Sequence, residues 1–424
     1  MPKSPKPKPT KEVAPKRPRI SRAQKSREVQ GAITAAALEL LASSGVDGLA
    51  LTKIAAQAEL SNGPLYGRYD SAEDVALELW DSQLRQQFLQ LLSEFDAFLS
   101  SDDDTVSDWL LQELTAPSEL TAGAVEIIAV ARRFPLLVDT VRADVERVFD
   151  HSRSALNDEP DAFAALRLTL PVGCVLTSRS VPSSRPPWAP MLLRLREALQ
   201  SQKVVPAAGD SPEPRKLSIP TPNTGDAGLD EFVLAVMEVV ARVGFEKTTA
   251  HRVARTAGHS FSSAYSHVGT KDELMHMAIG HMMDQIWETG TASFISLSED
   301  DYKTAIVSLQ LGLLDEANRA IRQLRTETTI AMRHHTDLAD AGRKRTEASL
   351  SRITDALGVE NPSTEAAASF WYLTNANGIG TVALSLLTSA FRTIDWSPMA
   401  AIAYDLALET TIEPLRKLKK LPLD

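Results

Sequence analysis

The sequence contains a single cysteine, Cys174, among its 424 residues. One thiol excludes an internal disulfide framework and any zinc or iron–sulfur site built from several cysteines, and it fits a reducing compartment. No run of about 18 uncharged apolar residues occurs, which argues against a transmembrane helix. The N-terminus also lacks the apolar core of a secretory signal. We therefore expect a cytoplasmic protein with no membrane span.

Motifs of catalytic and metal sites are also missing. The chain has no glycine-rich phosphate loop, no nucleophile elbow and no histidine pair of the zinc-protease type. His276 and His281 are five residues apart and would point to different helix faces, and the adjacent His334 and His335 diverge in the same way. The acidic run 102–104 lacks the glycine and the spaced oxygens of a calcium loop. We predict a protein that is not an enzyme and that has no catalytic residues, no metal site and no cofactor.

Charge is distributed unevenly along the chain. The net charge is −10, yet residues 1–30 hold ten basic and two acidic residues, so the other 35 basic and 53 acidic residues leave −18. Prolines alternate with the basic residues over 1–27, which predicts an extended, disordered arm. Such an arm could follow a phosphate backbone or enter a minor groove, or it could serve solubility alone.

A second segment rich in proline spans 201–226. It shows no apolar periodicity, so we interpret it as a linker between two halves of the chain. Its prolines are Pro206, Pro212, Pro214, Pro220 and Pro222.

The two halves begin with the same pattern when the numbering is shifted by 199. Each has apolar residues at i, i+3, i+4, i+7 and i+8, which is one face of a helix. Each helix then reaches a glycine, Gly45 or Gly244, the usual left-handed exit residue. Farther on, a shift of 201 pairs Glu126 with Glu327 and suggests that a whole half was duplicated. The two apolar faces are Ile33, Ala36, Ala37, Leu40 and Leu41, and Phe232, Ala235, Val236, Val239 and Val240.

The first 50 residues of each half predict a three-helix unit. In the first half the helices span about 28–44, 51–58 and 62–67; in the second half, the last of them spans about 261–266. Two short helices joined by a tight turn can set the second helix into a major groove. Ser61 and Ser260 stand where a serine side chain would cap that helix. Helical hairpins of this kind also pack in many all-α proteins, so the geometry alone leaves DNA binding open.

The residues of this unit follow a recognisable pattern in both copies. The first copy, 51–75, keeps an Ile-Ala pair, an alanine, a turn ending in serine, and a Leu-Tyr pair followed by an aromatic residue. The second copy, 250–274, keeps Val-Ala, the alanine, the serine and the tyrosine, and adds Lys271 and Asp272. These stretches resemble the DNA-binding motif of the tetracycline-repressor-like family of bacterial regulators over about 50 residues of each half.

Each copy departs from the family pattern at different positions. In the first copy, Ala72 replaces a lysine that often contacts phosphate in the family, and Ala50 replaces a capping threonine. In the second copy, Thr249 retains that cap, but Ala264 replaces the leucine and Val268 replaces the aromatic residue.

The resemblance implies that DNA contacts come from the two recognition helices and the helices before them. By chemistry, Arg68 could pair with a guanine edge or a phosphate, Asn62 suits adenine, and the tyrosines offer a hydroxyl to phosphate. Each tyrosine could instead pack against the first helix. The candidates are Thr52, Lys53, Ser61, Asn62, Gly63, Pro64, Tyr66 and Arg68 in the first copy, and His251, Arg252, Ser260, Phe261, Ser262, Ser263, Tyr265, His267 and Lys271 in the second.

The rest of each half has helical spacing and little strand-like alternation, so we predict an all-α fold. The predicted segments include 82–99, 120–150, 188–200, 301–333, 338–357, 364–390 and 398–412. The resemblance implies that these bodies hold an effector pocket and a dimerising face. We place the nearly uncharged segment 370–391, together with 398–412, at an interface between the modules, with an internal core helix as the alternative. Trp371, Tyr372 and Asn375 could line the pocket, although such a cluster is more often core.

The predicted organisation is an arm (1–27), a helix-turn-helix domain (28–79), a helical body (80–200), the linker (201–226), a second helix-turn-helix domain (227–278) and a second body (279–424). We expect the two modules to form an intramolecular pseudo-twofold pair that binds an imperfect palindromic operator in double-stranded DNA as an effector-responsive repressor.

Two alternatives stay open. One copy could be degenerate, with the chain forming a homodimer, or both copies could lack DNA binding in a helical scaffold that binds a small molecule or a protein.

Overall fold

The computed structural model describes residues 21–156, 159–180, 188–201, 211–259, 270–290, 297–358, 361 and 363–418. Over these ranges the chain is helical and contains no strand. The all-α prediction is therefore confirmed.

The first half shares one cluster of buried apolar side chains with parts of the second half. Its helices are α1 (Arg22–Gly48), α2 (Leu51–Gln57), α3 (Asn62–Tyr66), α4 (Ala72–Leu79), which continues as a π-helix over Trp80–Leu84, α5 (Arg85–Ser100), α6 (Asp108–Thr115), α7 (Glu119–Val130), α8 (Pro135–Ala155), α9 (Asp161–Thr177) and α10 (Trp188–Ser201).

The second half is also helical over its described residues. Its helices are α11 (Ala227–Val243), α12 (Ala250–Thr256), α13 (Lys271–Gly290), α14 (Glu299–Leu314), α15 (Arg319–His334), α16 (Thr336–Leu357), α17 (Ser363–Ser385), α18 (Ser397–Ala407), which continues as a π-helix over Leu408–Ile412, and α19 (Glu413–Lys417).

Several helix boundaries differ from the prediction. α1 begins at Arg22 rather than 28, because Ser21 caps it by accepting a hydrogen bond from the Gln24 amide at 3.1 Å. The end of the predicted arm is therefore helical, and residues 1–20 lie outside the described ranges. The segments predicted as single helices over 120–150 and 301–333 are each two helices. Pro135 starts α8, and Asp315 ends α14 and caps the short turn that follows.

Helix α9 was not predicted, although it is the most deeply buried helix of the first half. Every residue of α9 after Asp161 is buried. A helix that is apolar on every side has no amphipathic period, and Pro171 within it further disguises the pattern.

The core of the molecule is the crossing of α9 with α17. A Cβ atom on Gly173 of α9 would lie 1.7 Å from the carbonyl oxygen of Ala376, and one on Gly380 of α17 would lie 1.8 Å from that of Thr169. Thr169 also donates a hydrogen bond to Asn377 Oδ1 at 2.6 Å. Segment 370–391 thus contacts the first half through α9, and α18 packs against α10 of the first half.

The described part of the predicted linker, 211–226, lies against the second half rather than spanning free space. Its Arg215 amide donates to the Ser308 carbonyl at 2.9 Å. The side-chain amide of Asn318 then accepts from Leu217 N at 3.0 Å and donates to the Arg215 carbonyl at 2.9 Å. Asn318 therefore satisfies backbone polar groups of this segment that a free coil would leave to water.

Among the described helices, α1 is long and apolar enough by composition to cross a membrane, and α6 with α7 meets the same test only as a pair bent by 51°. In the structure, α1 packs against α2, α4 and α7, which cover its apolar face.

Candidate nucleic-acid interface

The first N-terminal unit is held together by a compact apolar core. Ile33 and Leu41 of α1, Ile54 of α2 and Leu65 of α3 are at most 1% exposed. The turn between α2 and α3 is tight because Glu59 adopts a left-handed conformation with φ of 53°, and the Leu60 amide returns to the Ala55 carbonyl at 2.9 Å. This geometry fixes α3 against α2 and leaves its other face to solvent.

Most of the predicted contact residues of the first copy lie on that exposed face. The Tyr66 side chain is 55% exposed and its hydroxyl has no hydrogen-bond partner among the described residues. The alternative in which Tyr66 packs on the first helix therefore does not apply. Pro64 is half-buried, and the remaining predicted contact residues of this copy are exposed. We call the whole group the reading face: Thr52, Lys53, Ser61, Asn62, Gly63, Pro64, Tyr66 and Arg68.

Two capping predictions have different outcomes in the first copy. Ser61 occupies the cap position of α3, but its side chain accepts no hydrogen bond there, so the predicted serine cap is wrong. Ala50 precedes α2 with no side-chain cap, whereas Thr249 caps α12 by accepting from the Arg252 amide at 3.4 Å. That contrast was predicted from the sequence.

Arg68 connects the recognition helix to the start of α1. Its Nη2 donates to Ser26 Oγ at 2.9 Å, so α3 and the root of the basic arm lie side by side. Below it, the Tyr69 hydroxyl donates to Glu78 at 2.7 Å and accepts from Gln30 at 2.7 Å. Burial raises the pKa of Tyr69 to about 12. These side chains position the reading face.

A capping box begins α4 and recurs in the second half. Ser71 and Asp74 bond to each other's backbone amides, at 3.3 Å and 2.7 Å. Thr270 and Glu273 do the same at the start of α13, at 3.1 Å and 2.9 Å. Both pairs are related by the shift of 199, so the repeat continues through this helix. The Ser-x-x-Asp and Thr-x-x-Glu spacing in the sequence is the signal that indicates both capping boxes.

The second copy is described as far as the turn and again from Thr270 onward. His251 is exposed, and Arg252 is half-buried and donates to the Lys247 carbonyl at 2.6 Å. The turn contains Gly258 with φ of 74°. Lys271 begins α13, but its side chain lies outside the described residues. The remaining candidates lie entirely outside the described residues: Ser260, Phe261, Ser262, Ser263, Tyr265 and His267.

A buried cluster of charges joins the two halves beneath the N-terminal units. Glu126 of α7 pairs with His334 at 2.6 Å and with Arg333 at 3.4 Å, both from the second half. Glu327 of α15 pairs with Arg132 at 2.5 Å and with Arg133 at 3.2 Å, both from the first half. Under the shift of 201, each set of contacts maps onto the other. We call these six residues the central charge cluster.

The central charge cluster also meets the end of the first helix in each half. Gly45 breaks the helical conformation within α1, and Gly244 directly follows α11; their φ angles are 70° and 85°. A Cβ atom on Gly45 would lie 2.5 Å from Glu126 Oε1, and one on Gly244 would collide with the guanidinium of Arg133. Glycine is thus required both for the left-handed backbone and for the close approach. The predicted exit glycines therefore anchor both N-terminal units to one cluster.

The two counterpart glutamates titrate differently. Burial alone would raise the pKa of Glu126, but the hydrogen bond and charge of His334, with Arg333, bring it below its ordinary value. Burial raises the pKa of Glu327 to about 7, in spite of the opposing charges of Arg133 and Arg132. The residue that corresponds to Arg133 in the second half is His334. The surroundings of Glu327 and Glu126 are therefore chemically distinct.

The three predicted pocket residues lie around the aromatic part of α17. Trp371 and Asn375 line a cavity of about 260 Å³. Tyr372 is buried, stacks on Trp188 with ring centroids 6.3 Å apart, and its hydroxyl has no partner among the described residues. Burial raises the pKa of the Tyr372 hydroxyl.

No family model matches the chain, and no curated protein matches it either. Within the described ranges, no group of three or more His, Cys, Asp or Glu side chains is placed to hold a metal ion.

Proposed function

We propose that this chain is a DNA-binding transcriptional regulator, and specifically an effector-responsive repressor of the tetracycline-repressor-like kind. The observation that supports this function best is the reading face. It presents Thr52, Lys53, Asn62 and Tyr66 to solvent, with no hydrogen-bond partner for them among the described residues, on two helices joined by a tight turn. Unpartnered donors on such a helix pair suit base edges and phosphates.

The local charge around the reading face also supports this proposal. DNA binding requires a basic surface, whereas the chain outside residues 1–30 is acidic. The basic N-terminal segment offsets this locally, because Lys25 and Arg27 are exposed at the start of α1, next to the Ser26–Arg68 contact. Seven more basic residues precede them within 1–20. An arm rooted there would start beside the groove that α3 enters.

We further propose that the two halves pair within one chain about an approximate twofold axis. The exchange of contacts in the central charge cluster, and the matching approaches of Gly173 to Ala376 and of Gly380 to Thr169, support this arrangement. Two recognition helices paired in this way reach major grooves about 34–36 Å apart. The unlike sequences at 62–68 and 261–267 then require unlike half-sites, and hence an imperfect palindrome.

A second candidate is a helical protein that binds a small molecule without DNA. The cavity beside α17 supports it, because small-molecule sites are concave and mostly apolar. The two proposals are compatible if the ligand favours one spacing of the recognition helices. If neither copy binds DNA, only the second candidate remains.

Titration of a mixed-sequence DNA duplex with matched charge variants tests the proposal. Lys53→Gln removes a charge from the reading face, and Lys344→Gln removes the same charge from an exposed site on α16 of the second body. We expect Lys53→Gln to weaken binding and to reduce the slope of log affinity against log salt by about 0.9, since one phosphate contact is lost. Lys344→Gln should leave both unchanged. Equal effects of the two variants, or no binding at low salt, would overturn the proposal.

A further inference from the structure

The cavity next to α17 is assembled from both halves of the chain. Leu166 and Leu170 of α9 and Leu195 of α10 form one wall, and α14, α15, α17 and α18 form the others. Leu217, from the segment predicted as linker, closes one side. At about 260 Å³ the cavity lies near the lower end of the range of about 300–1,000 Å³ for small-molecule sites.

The cavity wall is mostly apolar and includes no acidic side chain. It does include the guanidinium of Arg325, on α15. This group has no ion pair and no hydrogen bond to any described residue, and its Nε is buried. The neighbouring Arg322 differs, because it donates to Ser385 and pairs with Glu316 at 3.2 Å. Arg325 is therefore a cation at the cavity wall without a counter-charge from the protein.

An unpaired cation in an apolar cavity is costly, and an anion that enters the cavity removes that cost. Burial lowers the pKa of Arg325 to about 10, so the group remains charged at neutral pH. The indole Nε1 of Trp396, another wall residue, is also buried without a partner and can donate to an oxygen atom. The unused donors of Arg325 and Trp396 suit an oxygen acceptor, and the buried Nε of Arg322 on the same wall also has no partner among the described residues.

We propose that this cavity binds an amphipathic organic monoanion, with its apolar body among the leucine and aromatic side chains and its carboxylate against Arg325. The described part of the first half has no equivalent of this site, because the residue that corresponds to Arg325 under the shift of 201 is the buried Ala124. One molecule of ligand therefore binds per chain. Its role as the effector rests on the proposed function, but its binding does not.

The cavity is well placed to influence the pairing of the halves. Asn377 belongs to the cavity wall and also accepts the hydrogen bond of Thr169 across the α9–α17 crossing. Arg325 lies on α15, the helix that also contains Glu327 of the central charge cluster. A ligand that shifts α15 or α17 therefore acts on the contacts beneath both N-terminal units.

Isothermal titration of the full chain, without DNA, tests this proposal with decanoate as the anionic probe and 1-decanol as its uncharged counterpart. We expect decanoate to bind at one molecule per chain and at least tenfold more tightly than decanol, since a hydrogen bond to a charged group is worth about 1.5–3 kcal/mol. Because no DNA is present, a failure here is distinct from a failure of DNA binding.

Three variants make the result specific. Arg325→Gln should weaken decanoate binding at least tenfold and leave decanol within about twofold. Arg319→Gln, on the same helix but outside the cavity wall, should change neither. Ala403→Phe, which fills part of the cavity, should weaken both probes. Equal affinities for decanoate and decanol, or full decanoate binding by Arg325→Gln, would overturn the assignment, and so would absence of binding by both probes.

Discussion

Gly173 and Gly380 face each other at the crossing of α9 and α17 so closely that a Cβ atom on either would lie 2.9–3.0 Å from the backbone nitrogen of the other. The backbones of the two halves are therefore in direct contact at this point, and no side chain separates them. Any residue larger than glycine must push the helices apart.

This contact predicts the effect of a single methyl group. Gly173→Ala and Gly380→Ala should each lower the free energy of unfolding by about 1–3 kcal/mol or more, because the new Cβ meets rigid backbone rather than a flexible side chain. Gly378→Ala is the matched control on α17, since its Cβ would come no closer than 4.0 Å to a neighbour. It should be neutral or stabilising by up to about 1 kcal/mol. Urea denaturation measures all three, and equal values for Gly380→Ala and Gly378→Ala would contradict the account.

The two glutamates of the central charge cluster predict different pH profiles. Glu327 has a folded-state pKa of about 7, above its unfolded value, so it binds a proton more readily in the folded state. Its contribution to stability is present at low pH and is lost as the pH rises from about 4.5 through 7. The folded-state pKa of Glu126 is lowered, so its contribution is lost only when the pH falls below about 4.5.

Substitution by glutamine isolates each contribution. Between pH 5 and 8, the stability of the wild type relative to Glu327→Gln should fall by up to about 3 kcal/mol. The corresponding difference for Glu126→Gln should stay constant over the same interval. Unfolding curves at several pH values provide the measurement, and parallel profiles for the two variants would show that burial does not distinguish the sites.

Two tyrosines three residues apart should separate stability from DNA binding. Tyr69→Phe removes the hydrogen bonds to the half-buried Glu78 and Gln30, which still bond to each other, and should cost about 0.5–1.5 kcal/mol. Tyr66→Phe removes an exposed hydroxyl with no partner and should leave stability within about 0.5 kcal/mol. Thermal unfolding and duplex titration are measured on both variants. We expect Tyr66→Phe alone to weaken DNA binding where both are folded, and the reverse assignment would refute the role of the reading face.

The basic arm should contribute mainly electrostatic affinity. Deleting residues 1–20 removes seven basic residues but leaves Ser21, which caps α1. We expect the stability to be unchanged and the salt slope of DNA binding to fall by up to about 6, because each lost phosphate contact contributes about 0.9. Salt titration of both chains gives the slopes. An unchanged slope would mean that the segment serves solubility.

The sequence predicts best the features that depend on local pattern. The exit glycines Gly45 and Gly244, the α2–α3 turn and the missing cap at Ala50 follow from spacing and residue type alone, and the structure agrees with each. The predicted cap at Ser61 fails because the side-chain rotamer is not fixed by sequence position.

Features that depend on long-range packing could not be predicted. Helix α9 lacks an amphipathic period because it is buried on every side, so neither it nor the role of Gly173 was found. The isolation of Arg325 is likewise invisible in sequence, because it depends on which helices surround the cavity and on the absence of an acid among them.

Selection of bound duplexes from a random DNA pool, with light scattering of the complex to count chains, tests the central claim most directly. The account predicts that one chain binds an imperfect palindrome whose half-sites differ and whose centres lie about 34–36 Å apart. A perfect palindrome bound by two chains would contradict intramolecular pairing and mean that one copy does not read DNA. No enrichment, even at low salt, would refute DNA binding itself.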